Sequence, residues 1–287
     1  MSKICNACPR KCGATRPLGY CRAPEEFLVS RVALHPYEEP PISGNRGSGT
    51  IFFGGCNLGC VFCQNKAISR GGKGDVMSEY ELERAMFSLC DQGAHNINLV
   101  TPGHYFLPLA RLLERVKPRL SVPIVCNCGG YESVEALRVL DGLVDIYLPD
   151  LKYFSSELSA RYSKAPDYFE KASAALEEMF RQQPKLVYNG ELLERGLIVR
   201  HLVLPGCRKD SIKLLDELKE LLGVEDFLLS LMSQYTPDFV DAEKFPELGR
   251  RVTGFEYDSV TKHATELGFN GFFQARTSAS AKYTPDF

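Results

Sequence analysis

Three cysteines stand at C-x3-C-x2-C spacing within Gly54-Gly55-Cys56-Asn57-Leu58-Gly59-Cys60-Val61-Phe62-Cys63-Gln64-Asn65. Three thiolates on one short loop can hold three irons of a cubane cluster and leave the fourth iron open. An open position is where a ligand binds, as it is in catalytic zinc sites. A zinc knuckle is the alternative, but zinc wants a fourth ligand close by and none follows closely. A second set, Cys5, Cys8, Cys12 and Cys21, lies near the N-terminus with Arg10, Arg16 and Arg22 among its residues. Four thiolates in a turn-rich stretch can close a coordination sphere, as an all-cysteine zinc site or a fully ligated [4Fe-4S] cluster. The arginines suit the net negative charge of a cluster.

Other candidates sit where apolar runs end. Thr101-Pro102-Gly103-His104 follows one run, and Pro and Gly there bare the backbone toward a ligand. Asn127-Cys128-Gly129-Gly130-Tyr131 follows another, where two glycines allow close approach. Asp150-Leu151-Lys152 places opposite charges two apart, so that one face of an extended segment carries both. Arg200 and His201 interrupt the apolar run Val199–Gly206, and a charge inside a buried strand must be paired. Ser233-Gln234-Tyr235-Thr236-Pro237 ends the last run. Cys126 and Cys128 flank Asn127 and point opposite to it in a strand, which suits packing. His35 could be a ligand, but in a linker it reads as solvated.

The elements that must position these residues alternate. Apolar stretches at 50–53, 95–101, 123–126, 144–149, 197–204 and 227–232 read as strands. Amphipathic stretches at about 78–92, 106–116, 132–140, 155–163, 167–182, 210–222 and 256–267 read as helices. Short right-handed crossovers turn six such units into a curved parallel sheet with helices outside. The fold class is α/β: a partial (β/α)6 TIM-like barrel with a small Cys-rich N-terminal segment. Its chemistry is expected at the C-terminal rim of the strands. The expected divisions are a metal-binding segment over 1–24, a linker over 25–49, and the barrel with a C-terminal extension over 50–287. Tyr-Thr-Pro-Asp-Phe occurs at 235–239 and again at 283–287; a single five-residue recurrence is not a repeat architecture.

Composition excludes several classes. The chain has 287 residues, 44% of them hydrophobic, enough for a sizeable core. A net charge of −2 gives no reason to expect nucleic acid or an anionic membrane as partner. No apolar run reaches the ~18 residues of a membrane span, and Met1-Ser2-Lys3-Ile4-Cys5 lacks the apolar core of a signal peptide. A cytoplasmic location is expected. There the seven clustered cysteines of the 11 are expected to bind metal rather than form disulfides, with Cys90, Cys126, Cys128 and Cys207 scattered.

The loop spacing, with an aromatic residue before its last cysteine, resembles the radical S-adenosylmethionine (SAM) superfamily. Gly55-Cys56-Asn57, Cys60, Phe62-Cys63-Gln64-Asn65, Asn127 with Gly129-Gly130-Tyr131, Asp150-Leu151-Lys152 and Val199–Gly206 resemble one branch of it. That branch comprises the activating enzymes of glycyl-radical proteins such as pyruvate formate-lyase, and in particular their PflX-type homologues. The resemblance covers roughly residues 50–275. It implies a [4Fe-4S] cluster on Cys56, Cys60 and Cys63 that chelates SAM, with Phe62 packing near the adenine. It implies that Asp150 and Lys152 contact the SAM ribose and carboxylate, that Asn127 lies near the ribose, and that Arg200 borders the substrate. Thr101, Pro102, Gly103, His201 and Gln234 complete the expected cofactor-binding rim. Where the activating enzymes carry Gly-Gly-Glu, this chain has Thr101-Pro102-Gly103. The reaction implied is one-electron cleavage of SAM to a 5′-deoxyadenosyl radical, which abstracts hydrogen from a protein or peptide. The partner implied is a one-electron donor such as flavodoxin or ferredoxin. A small-molecule substrate, or a non-catalytic metal scaffold or electron carrier, are the alternatives.

Overall fold

A computed structural model describes residues 5–274. Its ten strands are β1 (Phe27–His35), β2 (Ser48–Phe53), β3 (Asp75–Met77), β4 (Ile97–Val100), β5 (Ile124–Cys128), β6 (Ile146–Pro149), β7 (Val187–Asn189), β8 (Leu192–Leu202), β9 (Leu228–Met232) and β10 (Gly271–Phe273). The helices are α1 (Pro40–Ser43), α2 (Lys66–Ser69), α3 (Glu79–Asp91), α4 (Phe106–Val116), α5 (Val134–Arg138), α6 (Ser156–Ser163), α7 (Tyr168–Gln182), α8 (Arg208–Leu222) and α9 (Gly254–Leu267).

The sheet runs β10-β9-β8-β6-β5-β4-β2-β1-β3, with β7 paired to β8. Strands β2, β4, β5, β6, β8 and β9 pair in parallel, each with its neighbour. These are the six units expected from the apolar runs. Each faces helices on one side and the curved interior on the other, so alternate residues belong to different layers. Ile51, Leu99, Cys126, Tyr147, Val199 and Leu231 join the large core beneath the helices. Cys126 and Cys128 are both buried, and Cys128 also borders the cavity at the strand ends.

Helix ends follow local chemistry. Ser78 and Glu81 form a capping box on α3, which buries Leu82, Met86 and Leu89. Thr253 and Glu256 do the same for α9.

Residues 25–49 are not a linker. Strand β1 pairs antiparallel with β2 along its length and with β3 at its start. The chain then turns through α1, whose fully buried Ile42 packs with Val125, Ile146, Leu148, Leu193, Ile198 and Leu228. That cluster plugs the N-terminal end of the partial barrel. The prolines that suggested a linker instead start α1, where a missing N–H costs nothing. At the other edge β10 pairs in parallel with β9, adding a seventh parallel strand that the periodicity does not reveal. The first Tyr-Thr-Pro-Asp-Phe segment forms a turn capped by Thr236; its second copy lies outside the described residues.

Candidate active site

The strand ends and the cysteine loop enclose a cleft of about 260 Å³. Cys56, Cys60 and Cys63 all line it, together with Phe62, Thr101, Asn127, Asp150, Lys152, Arg200 and Gln234. The cysteine loop follows β2 directly, so the sheet anchors its first residues. Gly55 takes φ +85°, and a Cβ there would lie 2.6 Å from the Cys21 carbonyl oxygen. Only glycine lets the loop start so close to the N-terminal segment.

Each thiol has a polar neighbour. The Leu58 N–H donates to Cys56 Sγ at 3.4 Å, Ser163 Oγ donates to Cys60 Sγ at 2.9 Å, and Ser69 Oγ lies 3.5 Å from Cys63 Sγ. Burial, reinforced by the neighbouring thiols, pushes the Cys56 and Cys63 thiols up. Three thiolates here need a cationic partner. Among the described residues no group of three or more His, Cys, Asp or Glu is placed to hold a single metal ion. A cubane asks something different: it spreads its thiolates around a body several ångströms across. Three cysteines opening onto one cavity, with donors already aimed at the sulfurs, fit that group.

Opposite the cysteines lies a charged network. Asp150 pairs with Lys152 through one carboxylate oxygen and with Arg200 Nε at 3.0 Å through the other. Arg200 Nη2 donates to Asn127 Oδ1, and Nη1 reaches Glu38 Oε2 at 3.5 Å. Glu38 Oε1 accepts from Asn98 Nδ2 at 3.1 Å and Asn127 Nδ2 at 3.4 Å. Burial works against the Asp150 charge, but Arg200 and Lys152 outweigh it and hold the carboxyl below its usual range. Burial likewise opposes the Lys152 charge, and Asp150 outweighs it to raise that ammonium. Glu38 behaves differently: burial pushes its carboxyl up to about 7, against a weaker pull from Arg200. The buried charge on β8 has thus found the carboxylate it required.

Thr101 lines the cleft at φ +59°, a costly conformation for a β-branched residue, with its N–H donating to the Asn127 carbonyl at 2.7 Å. Phe62 is buried edge-on to Tyr235 at 6.2 Å. Gln234 holds the Met232 sulfur and the Gln274 amide.

Three expected rim residues lie elsewhere. His201 is buried on the helix side of β8, with Nδ1 2.7 Å from the Leu151 carbonyl and Nε2 2.9 Å from Ser211 Oγ. Strand alternation turns it away from the cleft that Arg200 faces, and burial lowers its pKa to about 4. Pro102 packs in the core beside Phe106 and Leu109. Gly103 is a glycine because a Cβ there would lie 2.0 Å from Glu132 Oε2, not because a ligand approaches. The same holds for Gly130, whose Cβ would meet the Asp150 carbonyl oxygen at 2.0 Å; Gly129 does line the cleft.

Two residues were not singled out from sequence. Glu38 lay in the presumed linker, and its only signal was a charged pair before two prolines. Tyr168 sits behind the rim: its hydroxyl is 2.8 Å from both the Gly129 and Asp150 carbonyls and accepts from the Lys152 N–H. It locks two strand ends together. His35, expected to be solvated, instead lines the cleft edge-on to Phe52.

The four N-terminal cysteines do not line the cleft. Their segment, free of helix or strand, packs against the outside of the cysteine loop. Arg10 donates to the Asn57, Ser163 and Lys164 carbonyls and stacks over Tyr20 at 4.1 Å. Arg16 donates to the His104 carbonyl and to Cys5 Sγ at 3.7 Å. Arg22 donates to the Arg70 carbonyl at 3.1 Å. Burial pushes the Cys8 thiol up to about 12 and raises that of Cys21, while Cys12 is exposed. Cys8 and Cys21 feel each other's charge and that of Cys5, but among the described residues these thiols do not form a group placed around a single metal ion.

Comparison with known proteins agrees with this architecture. The family model "Radical SAM superfamily" matches residues 50–193. Uncharacterized protein MJ0674 of Methanocaldococcus jannaschii is 30% identical over 279 residues, covering 92% of this chain and 74% of that protein. Among solved structures, Streptococcus suis SuiB bound to precursor peptide SuiA overlays with a TM-score of 0.54 at 13% identity. That overlay covers 78% of this chain and 48% of SuiB. SuiB bound to S-adenosylmethionine overlays at 0.52 with 14% identity, covering 77% of this chain and 48% of SuiB. At such identities the likeness is one of fold.

Proposed function

The chain belongs to the radical SAM superfamily, and from that premise we propose that it cleaves SAM reductively to abstract hydrogen from a protein or peptide. The observation that carries this reading is the shared cleft. Cys56, Cys60 and Cys63 form one wall, and Asp150, Lys152, Asn127 and Arg200 form the other.

The residues divide the work. The three cysteines hold a [4Fe-4S] cluster, and Ser69, Ser163 and the Leu58 N–H steady the sulfurs. When bound, the cluster and SAM supply one-electron chemistry that no side chain here can perform. Lys152 offers its ammonium to the SAM carboxylate, and Asp150 and Asn127 offer acceptors and donors to the ribose. Phe62 packs against the adenine, and Thr101 and Gln234 border the same space. Arg200 faces the substrate. Leu58, Phe52, Leu202 and Met232 line the cleft with apolar surface and keep water from the reacting centre.

The unclosed sheet supports a chain-like substrate. Strands β10 and β3 stand at opposite edges and do not pair, so the barrel has an open side. SuiB, with the same fold, is a structure bound to its precursor peptide. The N-terminal cysteines form a second metal site, an iron–sulfur cluster or zinc, outside the cleft. A one-electron donor such as flavodoxin or ferredoxin supplies the reducing equivalent.

The test is anaerobic reconstitution with iron and sulfide, then chemical reduction with SAM present. Wild type is expected to release 5′-deoxyadenosine and methionine. Changing Cys56, Cys60 and Cys63 together to Ala should remove roughly four irons per chain and reduce cleavage to background. Intact SAM in the reduced, loaded wild type would overturn the reading.

A further inference from the structure

We propose that Glu38, with His35, Tyr37 and Phe52, forms the substrate end of the cleft and receives a protonated amine carried on an apolar stem. The proposal rests on the cleft being the radical SAM site argued above, and His35, Tyr37 and Glu38 lie outside the stretch that the family model matches.

The charges in the cleft are unevenly matched. Asp150 is held by both cations. Arg200 gives its Nε to Asp150 at 3.0 Å and its Nη2 to Asn127. Only Nη1 is left for Glu38, at 3.5 Å, the outer limit of a hydrogen bond. Glu38 is therefore the carboxylate in this network whose cation is most distant. Its other oxygen accepts two neutral amides. Burial accordingly favours its protonated form, and a nearby cation would reverse that.

Acceptors outnumber donors around it. Asn98 Oδ1 and Glu39 Oε2 are buried with no hydrogen-bond partner. Asn98 is fully buried and gives its amide to Glu38, and the Glu39 charge acts on Glu38 and Arg200. A buried acceptor without a donor is destabilising. Neither Asn98 nor Glu39 lines the cleft, so what a ligand meets there is Glu38 itself, in surroundings that an anion would make more negative and an ammonium less so.

The walls suit the same group. His35 lies edge-on to Tyr37 at 5.6 Å and to Phe52 at 6.4 Å. Burial, with Arg31 further up β1, lowers the His35 pKa, so this ring is neutral and does not repel a cation. Aromatic rings beside a carboxylate bind ammonium groups through the ring quadrupole and the charge together. Tyr37 is half exposed and Phe52 buried, and both line the cleft with Glu38, so the aromatic wall has an outer and an inner part. An apolar stem can lie along them.

A lysine side chain or peptide N-terminus and a free alkylamine share this chemistry. The experiment uses the full chain, reconstituted anaerobically with SAM and held at pH 8, where Glu38 is charged. The probes are n-butylammonium, Nα-acetyl-lysine methylamide and a lysine-centred pentapeptide, each against its uncharged norleucine or pentane analogue. Binding is followed by saturation-transfer NMR. At least one amine is expected to bind tenfold tighter than its analogue. Preference for the peptide alone identifies a protein source, and equal preference identifies a free amine. Glu38→Gln should remove the preference without changing the analogue's Kd, and Tyr37→Leu, at an exposed position, should weaken the amine about threefold. SAM affinity should stay within twofold in Tyr37→Leu. No amine preference in wild type, or a preference that survives both substitutions, overturns the proposal. Failure of wild type to bind or cleave SAM sinks the functional reading instead, and the amine result is then scored separately.

Discussion

The two cysteine sets make opposite use of the same side chain. Cys56, Cys60 and Cys63 sit on a loop launched from β2, inside the sheet's rim, and all three open onto a cavity. Cys5, Cys8, Cys12 and Cys21 sit on a segment with no helix or strand, outside the cleft, held by arginines that reach across to barrel carbonyls. A site that must keep one position open has to resist collapse, and a strand end supplies that stiffness. The four-ligand site proposed for the second set would close on itself and could be carried by turns, because the metal would be its core. The two also touch: Gly55 abuts Cys21, and Arg10 binds the carbonyl of Asn57. The loop's outer face is thus shaped by the segment.

The sharpest way to break this comparison is to change all four N-terminal cysteines to Ser. The variant is expected to lose a complete second metal equivalent and the folded state of its first ~25 residues, which bury too little surface alone. It should keep the loop cluster and still cleave SAM with a strong chemical reductant, though more slowly. Metal analysis with a cleavage assay decides it. Full metal retention would remove the second site, and loss of cleavage with the loop cluster intact would end the division of roles.

A smaller effect is expected on the cleft side. Lys152→Ala removes the ammonium that pairs with Asp150 and faces the cysteines. SAM affinity should fall about tenfold, within the range of a charge-assisted hydrogen bond, while both metal sites stay loaded. Equilibrium binding of SAM to this variant and to Asp150→Ala measures it. Unchanged affinity in both would make the pair purely structural.

A third effect, on stability rather than on binding, lies at the seam. His104 is buried between the two regions, with Nε2 2.9 Å from the Gly54 carbonyl and its own carbonyl held by Arg16. Burial, then the Arg16 charge, lowers its pKa to about 3 from 6.5. The folded protein keeps this ring neutral where the unfolded chain protonates it. Its contribution to stability is therefore complete above pH 6.5 and is lost progressively as pH falls from 6.5 toward 3. The slope is about 1.4 kcal/mol per pH unit at most. Urea unfolding of wild type and His104→Asn between pH 7 and 5 should show a difference that narrows with acid; a constant difference would exclude the ring.

Much of the site could be read from residue order. The three loop cysteines, Phe62, Asp150 and Lys152 follow apolar strands, Asn127 and Arg200 lie near the C-terminal ends of theirs, and a parallel sheet brings successive strand ends to one rim. His201 failed because two adjacent strand residues face opposite layers, and nothing in Arg200-His201 says which one looks inward. Gly103 and Gly130 failed because a glycine needed for a close neighbour looks the same as one needed for a ligand. Glu38 was missed because prolines at 36, 40 and 41 disguised a segment that the sheet and the α1 plug hold in place.

Local chemistry written along the chain determined the six β/α units, the capped helices and the spacing of both cysteine sets. Periodicity and ligand spacing act over a few residues, and sequence displays them directly. Tertiary structure alone decided that β1 and β10 extend the sheet, that the N-terminal segment backs the cysteine loop, and that Glu38 meets Arg200 across 162 positions. Those outcomes depend on which distant surfaces bury one another. A partner that far along the chain leaves no periodic trace, because only the folded sheet brings the two together.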